Sequence, residues 1–199
     1  MRELTRVTSR VAVLDRADVD TDQIIPKQFL KRIERSGYGE FLFFDWMKDP
    51  AFELRRPEYA GAQILIAGRN FGCGSSREHA AWALDDFGFR AILAPSYSDI
   101  FRSNAVKSGL APIELSEIVL TELKQALALE NELTVDLEKL EISHPTGLTV
   151  SFELDPYARE TLLHGLDDIA RTLKRADKIA VYEAAATLGP GSTRAQLRS

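Results

Sequence analysis

Three polar side chains stand side by side in the stretch GCGSSREHAAWAL, where Ser75, Ser76 and Arg77 directly precede a run of helix-favouring residues. One side-chain oxygen is enough to cap a helix, so three polar groups exceed what the helix needs. Free N–H groups and a partial positive charge at a helix start stabilise an anion, and an arginine binds a carboxylate through two hydrogen bonds. The stretch therefore predicts a site for a carboxylate substrate.

The same positive surroundings could convert one serine into a base. A serine hydroxyl ionises only far above neutral pH, so it accepts a proton from a substrate only where positive charge stabilises the alkoxide. A purely structural function stays open, because Ser75 and Glu78 have the spacing of a capping box. Ser76 could cap the helix if Ser75 does not.

The residues around the serines favour close approach of a ligand rather than nucleotide binding. Gly72 and Gly74 allow backbone conformations that a Cβ would block. The Gly-Lys-Ser or Gly-Lys-Thr ending of a phosphate-binding loop is missing. Cys73 could be a reactive thiol at a helix start, although a small buried residue is the simpler interpretation. His79 could be catalytic or merely packed.

Two other segments carry charged groups that could take part in a site. DVDTDQ holds Asp20 and Asp22, which could bind a divalent cation, but the glycine and terminal glutamate of a calcium loop are missing. A polar turn is therefore the better interpretation of this segment. In KQFLKRIERSG the apolar Leu30 stands beside Lys31 and Arg32, an arrangement that suits recognition of an apolar group next to a carboxylate.

Composition excludes several classes of protein. The chain has 199 residues, 45% of them hydrophobic, and 25 basic against 30 acidic side chains, which disfavours binding to nucleic acid or an anionic membrane. No apolar run is long enough to span a bilayer, and the N-terminus lacks the apolar core of a signal peptide, so we expect a cytoplasmic protein. The single cysteine forms no internal disulfide and holds no metal cluster by itself, so any cluster must come from another chain.

A strand, a helix and a second strand must position the serine motif. AQILIAG and FRAILAPS are short apolar runs that predict buried strands on either side of a helix. The helix presents one apolar stripe, formed by Ala80, Ala83, Leu84 and Phe87. Gly88 stands where this helix should end. Such a unit places two parallel strands in one sheet, joined by the helix.

The remaining segments predict further elements around this unit. SRVAVLD predicts one strand, RADVDTDQ a loop, and residues 27–59 a largely irregular region. After the central unit, DIFRSNAVKSG, with Ser98 or Asp99 as its cap, predicts a helix, LAPIEL a strand and SEIVLTELKQALALE a helix. Apolar residues then alternate over 133–137 and 148–154, which predicts an antiparallel hairpin with HPTG supplying the turn.

The C-terminal part predicts helices and a tail. Asp155 and Pro156 have the types preferred at a helix start, and Gly165 should end that helix. We expect a single domain over residues 1–188 and a disordered tail over 189–199.

Three segments resemble, in order, motifs of the small subunits of 3-isopropylmalate dehydratases, a family of the aconitase superfamily. They are DVDTDQIIPKQFLKR, NFGCGSSREHAAWALDDFGFRAILAPSYSDIF and GLDDIARTL, and the resemblance extends from about residue 10 to residue 185. The resemblance implies an α/β fold, a swivelling β/β/α domain of the aconitase C-terminal type with a mixed sheet and flanking helices.

The resemblance also implies half of a hydro-lyase. The partner would be a large subunit that carries a 4Fe-4S cluster, with no cofactor in this chain. In the family, 2-isopropylmalate loses water and regains it with the opposite regiochemistry, giving 3-isopropylmalate through isopropylmaleate in leucine biosynthesis. Relatives acting on homoaconitate or a methylmalate, and a stand-alone carboxylate-binding domain, are the alternatives.

The resemblance assigns roles residue by residue. Ser75 matches the serine that acts as alkoxide base, and Ser76 and Arg77 match residues that hold substrate carboxylates. Asp22 matches an acid near the catalytic groups of the partner domain. The family's substrate-reading loop corresponds to the segment of Leu30, which we expect to contact the isopropyl group, and Lys31, Arg32 or Arg35 stands in for a substrate-binding arginine whose spacing is altered here. Cys73 is expected to have no part in the chemistry.

Overall fold

The computed structural model describes residues 1–30, 36–173 and 175–185, which form two four-stranded sheets with helices. One sheet is antiparallel, with the strand order β1-β6-β7-β8, and the other is parallel, with the order β2-β3-β4-β5. The strands are β1 (Arg6–Ser9), β2 (Val11–Leu14), β3 (Ile64–Ala67), β4 (Ala91–Ala94), β5 (Ala111–Glu114), β6 (Leu133–Asp136), β7 (Glu141–Ser143) and β8 (Thr149–Ser151). The helices are α1 (Thr21–Ile24), α2 (Glu78–Phe87), α3 (Asp99–Ser108), α4 (Glu117–Leu127), α5 (Pro156–Leu163), α6 (Asp168–Leu173) and α7 (Ala176–Ala185).

The parallel sheet positions the serine motif. β3 and β4 pair in parallel and are joined by α2, and β4 and β5 pair in parallel and are joined by α3. The predicted strand–helix–strand unit is therefore confirmed, as are the helix end at Gly88 and the cap of α3 by Ser98. Because the strands lie in chain order, the carboxyl ends of β2, β3 and β4 meet at one edge of the sheet. The segments that leave these strands can contact one another there.

Two hydrophobic core clusters cover the two faces of the parallel sheet. Side chains of a strand alternate between its faces. Leu65 and Ile92 lie in the first cluster, together with Leu84 of α2. Ile64 lies in the second cluster, which includes Val135 of the antiparallel sheet and residues of α4. Burial on both faces explains why β3 and β4 are continuous apolar runs and keeps the sheet rigid beneath the site.

The N-terminal strand prediction is wrong in one respect. The segment predicted as one strand contains parts of two, because β1 ends at Ser9 and β2 begins at Val11. β1 pairs with β6 of the antiparallel sheet, whereas β2 pairs with β3 of the parallel sheet. The pattern of apolar residues within a strand does not reveal which other strand it will pair with. The sequence therefore did not indicate that the chain passes from one sheet to the other at Arg10.

The predicted loop RADVDTDQ contains the one-turn helix α1. The Asp20 side chain accepts from the Gln23 N–H at 2.8 Å, and the Gln23 side chain accepts from the Asp20 N–H at 2.9 Å. This capping box stabilises a helix that is too short to show helical periodicity, which is why the loop prediction is wrong here. The irregular prediction for 27–59 is confirmed for the described residues, whose only helical elements are isolated 3-10 turns.

The predicted hairpin is wrong in its strand pairing. HPTG connects β7 to β8, and β7 lies between β6 and β8 in the sheet. β7 has only three residues, too few to establish an alternating pattern by themselves. The predicted apolar stripe of α2 also needs a correction, because Phe87 is 44% exposed while Ala80, Ala83 and Leu84 are buried.

The chain divides into two compact units, the first ending at Gly165 and the second beginning at Leu166. In the first unit, the Asp155 side chain accepts from the Ala158 N–H at 2.9 Å, and Pro156 opens α5, as predicted. The second unit contains α6 and α7, and the predicted tail 189–199 lies outside the described residues. Among the described residues, no helix is both long enough and apolar enough to cross a bilayer.

Candidate active site

The segment after β3 is hydrogen-bonded along one side to the segment after β4. The Phe71 N–H donates to the Ser96 carbonyl at 3.0 Å, and the Ser98 N–H donates to the Phe71 carbonyl at 3.2 Å. The Ser98 hydroxyl also donates to the Gly72 carbonyl at 2.6 Å. These bonds continue the parallel pairing beyond the ends of the strands and hold the glycine-rich stretch in place.

The segment after β2 holds the same stretch from the other side. The Gly72 N–H donates to the Val19 carbonyl at 2.8 Å, and the Asp18 N–H donates to the Arg69 carbonyl at 2.9 Å. The Asn70 side-chain amide donates to the Asp18 carboxylate at 2.8 Å. The backbone that leads to the serines is therefore fixed on both edges before it reaches them.

Gly72 stands where a side chain would meet the core. Its φ is +72°, and a Cβ built on it would overlap the buried Phe101 ring. We expect Gly72→Ala to lower the free energy of unfolding by roughly 2–4 kcal/mol, because the left-handed conformation and the overlap each cost free energy. Denaturant unfolding of the variant measures this loss.

Gly147→Ala is the matched control for this prediction. Gly147 has a φ of +94°, but nothing lies within 4 Å of a built Cβ, so only the conformational cost of about 1–2 kcal/mol remains. Equal losses of stability in the two variants would show that overlap with the Phe101 ring does not contribute to the loss in Gly72→Ala.

The start of α2 has no side-chain cap. The helix begins at Glu78, and Arg77 occupies the cap position without a capping hydrogen bond. The Arg77 N–H donates instead to the Ser75 carbonyl at 2.8 Å, and this turn keeps Ser75 two residues before the cap. Among the described residues, neither Ser75 nor Ser76 therefore makes the cap that the sequence left open. Both serines are exposed, and neither hydroxyl has a hydrogen-bond partner among the described residues.

Arg77 and Asp22 form a bidentate ion pair although 55 residues separate them in the chain. Nη1 of Arg77 donates to Oδ1 of Asp22, and Nη2 donates to Oδ2 at 3.0 Å. The Arg77 side chain is 15% exposed and that of Asp22 is 52% exposed. The hydrogen bond from Arg77 holds the pKa of Asp22 below its ordinary value. Asp22 is therefore ionised at neutral pH and orients the guanidinium.

The surroundings of Cys73 and His79 favour structural roles for both residues over a reactive thiol and a catalytic histidine. The half-buried Cys73 thiol donates to the Asp18 carbonyl at 3.4 Å, and burial raises its pKa, so it stays protonated at neutral pH. The His79 ring packs against Tyr38 at 5.3 Å and Trp82 at 4.6 Å between centroids. Burial lowers the pKa of His79, which makes it a neutral packing group.

The predicted substrate loop is described only at its start. Leu30 is half-buried and packs against the first core cluster. Phe29, the preceding residue, stacks on Phe41 with 4.1 Å between ring centroids. Lys31 and Arg32, like Arg35, lie outside the described residues. The structure thus brings Asp22 together with Arg77, and it places Leu30 against the first core cluster.

Two residues that support the site were missed by the sequence analysis. The Thr21 hydroxyl donates to the Ser75 carbonyl at 3.1 Å, and Ser98 both caps α3 and holds Gly72. The only sequence feature that could have pointed to Thr21 is its position beside Asp22. For Ser98, the corresponding feature is its predicted place as a cap of α3. Within the described residues, no group of three or more His, Cys, Asp or Glu side chains is placed to hold a metal ion.

Comparison with known proteins assigns the chain to a family. The Aconitase C-terminal domain family matches residues 1–118. A "3-isopropylmalate dehydratase small subunit" from Acidobacterium capsulatum is 56% identical over 185 residues, which are 92% of this chain and 90% of the relative. The protein of the same name from Bacillus subtilis is 52% identical over 194 residues, 92% of this chain and 96% of the relative. The chain belongs to the 3-isopropylmalate dehydratase small-subunit family.

A solved structure supports this membership in the family. The crystal structure described as 3-isopropylmalate dehydratase from Methanocaldococcus jannaschii is 27% identical, with a TM-score of 0.65, and covers 89% of this chain and 99% of that chain. The predicted resemblance and the α/β fold of the aconitase C-terminal type are confirmed, as is the expectation of a hydro-lyase subunit of leucine biosynthesis. The name small subunit implies a large-subunit partner.

Proposed function

We propose that this chain is the small subunit of a cytoplasmic 3-isopropylmalate dehydratase, active only with its large subunit. The enzyme would convert 2-isopropylmalate to 3-isopropylmalate by dehydration to isopropylmaleate and rehydration. The names of relatives at 52% and 56% identity support this assignment. The observation that carries it is the start of α2, where two exposed serine hydroxyls, without hydrogen-bond partners in the described part of the chain, adjoin an arginine held by a carboxylate.

Ser75 is the proposed base. Its hydroxyl is exposed and makes no hydrogen bond among the described residues, so no capping bond has to break before it reacts. The first N–H groups of α2 have no partner within the helix and stabilise an alkoxide beside them. In the dehydration, the substrate C–H bond breaks toward this oxygen, its electron pair forms the double bond of isopropylmaleate, and the hydroxyl departs on the side of the partner subunit. In the rehydration, the double bond takes the proton from Ser75 at the carbon that lost the hydroxyl, and a hydroxyl adds to the carbon that lost the proton, which gives 3-isopropylmalate and the Ser75 alkoxide again.

Arg77 and Ser76 are the proposed holders of substrate carboxylates, and Asp22 is the proposed anchor of Arg77. A guanidinium has five N–H donors, and Asp22 accepts from only two of them. Among the described residues, three N–H groups are left, the Nε–H and one on each terminal nitrogen. The Nε–H and a neighbouring terminal N–H can bind a substrate carboxylate without the release of Asp22. Because Asp22 is ionised at neutral pH, its proposed catalytic part is to orient Arg77 beside the partner's groups, not to donate a proton.

Substrate selection is proposed to depend on the segment after the 3-10 turn Lys27–Phe29. Leu30 would contact the isopropyl group with the part of its side chain that the core leaves free. Lys31 and Arg32 would contact a carboxylate. These assignments rest on the resemblance to the family.

Residues 1–188 are proposed to act as one swivel domain, also on the basis of this resemblance.

The iron–sulfur cluster is proposed to belong to the large subunit. A 4Fe-4S cluster needs several thiolate ligands, and this chain has one cysteine, so its residues do not fit such a group. When bound in the partner, the cluster would act as a Lewis acid on the departing hydroxyl and a substrate carboxylate. In the proposed reaction, this chain then binds the substrate and transfers the proton.

Mixing the purified chain with the large subunit, with its cluster assembled, tests the proposed function. We expect isomerisation of 2-isopropylmalate by the mixture and none by either subunit alone, because the carboxylate site and the Lewis acid are on different chains. Consumption of 2-isopropylmalate and formation of 3-isopropylmalate are measured by chromatography.

Competing substrates and binding by the free chain provide the controls. The kcat/KM value for 2-isopropylmalate should exceed those for homoaconitate and methylmalates, since pocket differences act on this ratio. A higher value for one of these would assign the chain to that relative's reaction. Tight calorimetric binding of a malate analogue by the free chain, with no activity after mixing, would favour a carboxylate-binding domain instead.

A further inference from the structure

Thr21 lies directly against the glycine that precedes the proposed base. It is 2% exposed. A Cβ built on Gly74 would have the Thr21 hydroxyl oxygen at 3.6 Å and the Thr21 nitrogen at 3.9 Å. Gly74 itself has a φ of +90°, a conformation that gives the backbone its turn toward Ser75. At these distances a Cβ would make only ordinary van der Waals contact with Thr21, so glycine is required at position 74 by the left-handed backbone conformation and not by the approach of Thr21.

Thr21 holds the main chain on both sides of Gly74. Its N–H donates to the Cys73 carbonyl at 2.9 Å, and its hydroxyl donates to the Ser75 carbonyl at 3.1 Å. The Ser75 carbonyl also accepts from the Arg77 N–H at 2.8 Å. One carbonyl oxygen therefore receives a bond from the helix start and a bond from a separate segment of the chain.

The helix that carries Thr21 also carries the anchor of Arg77. Asp22 follows Thr21 in α1 and pairs with Arg77, so one turn of helix contacts both ends of the segment 75–77. α1 is itself fixed by the capping box of Asp20 and by the fully buried Ile24. A movement of α1 would displace the serine and the arginine together.

We infer that Thr21 is a positioning residue for the reaction, whose hydroxyl sets the place of the Ser75 main chain and so the direction of the Ser75 side chain. This inference rests on the proposed function of Ser75. Thr21 does not touch the substrate. Its effect on the rate comes from geometry, because a displacement of about 1 Å in a reacting group can cost on the order of 100-fold in rate.

Thr21→Val removes the hydroxyl and preserves the shape of the side chain, and Thr21→Ser preserves the hydroxyl. In the two-subunit enzyme we expect Thr21→Val to lower kcat by roughly 10- to 100-fold with a smaller change in KM. Thr21→Ser should restore most of kcat. In the free small subunit, hydrogen exchange of the Arg77 amide, which donates to the same Ser75 carbonyl, should be faster in Thr21→Val and near normal in Thr21→Ser. Thermal unfolding of all variants measures their stability.

Thr121→Val is the matched control, because the Thr121 hydroxyl also donates to a main-chain carbonyl, that of Glu117 at 2.8 Å in α4. It should leave kcat and exchange of the Arg77 amide unchanged. An unchanged kcat in Thr21→Val would overturn the inference, as would a loss of kcat that Thr21→Ser does not restore. If the wild-type pair of subunits does not isomerise 2-isopropylmalate, the proposed function fails. Unchanged exchange in Thr21→Val would then overturn the positioning of the main chain independently.

Discussion

Ser75→Ala is expected to lower kcat of the two-subunit enzyme by about 10²–10⁴-fold, the usual contribution of a general base, with KM nearly unchanged. The variant removes an exposed hydroxyl that has no hydrogen-bond partner among the described residues, so the fold loses no contact of that group. The loss should therefore fall on the proton transfer and not on stability. Steady-state kinetics with 2-isopropylmalate and thermal unfolding measure the two quantities.

Ser76→Ala is the matched control, since it removes the same group one residue further along at the same helix start. If Ser76 binds a carboxylate equally in the ground state and the transition state, its loss raises KM and leaves kcat nearly unchanged. The reverse result, a large loss of kcat in Ser76→Ala and a raised KM in Ser75→Ala, would exchange the two proposed roles. Full kcat in both variants would show that neither serine is the base.

Arg77→Lys is expected to lower kcat/KM by roughly 100- to 1,000-fold, mainly through KM. Lysine keeps the charge but cannot bind Asp22 and a substrate carboxylate with a planar fork. Charge-assisted hydrogen bonds contribute about 1.5–3 kcal/mol each, and about 1.4 kcal/mol corresponds to a tenfold change. The kinetics of the variant with 2-isopropylmalate, and its affinity for a substrate analogue in the assembled enzyme, measure the effect.

Arg16→Lys separates loss of the site from loss of an ion pair. Arg16 also forms a bidentate ion pair, with Glu53, although through Nε to Oε1 at 3.0 Å and Nη2 to Oε2 at 2.8 Å instead of through both terminal nitrogens. The substitution should leave kcat/KM unchanged and affect stability only slightly, because both groups are partly exposed. Equal losses of kcat/KM in Arg16→Lys and Arg77→Lys would contradict a specific role of Arg77.

Local sequence signals predicted the elements that carry the site. The apolar runs of β3 and β4 and the stripe of α2 are properties of neighbouring residues, and each element forms where the pattern indicated. Signals failed where an element was short or where its partner was distant. α1 has four residues and β7 has three, too few for a period, and β1 gave no indication that it belongs to a different sheet from β2.

The sequence by itself determined that a glycine-rich turn, two serines and an arginine precede a helix on a parallel sheet, because these features depend on residues close together in the chain. It also carried the resemblance that named the family, the reaction and the separate cluster. It left open whether the serines cap the helix. Only the tertiary structure decided that they do not, and that Arg77 is bound by Asp22 and the Ser75 carbonyl by Thr21. Such contacts join residues more than 50 positions apart, so they exist only once the parallel sheet has brought the ends of its strands together.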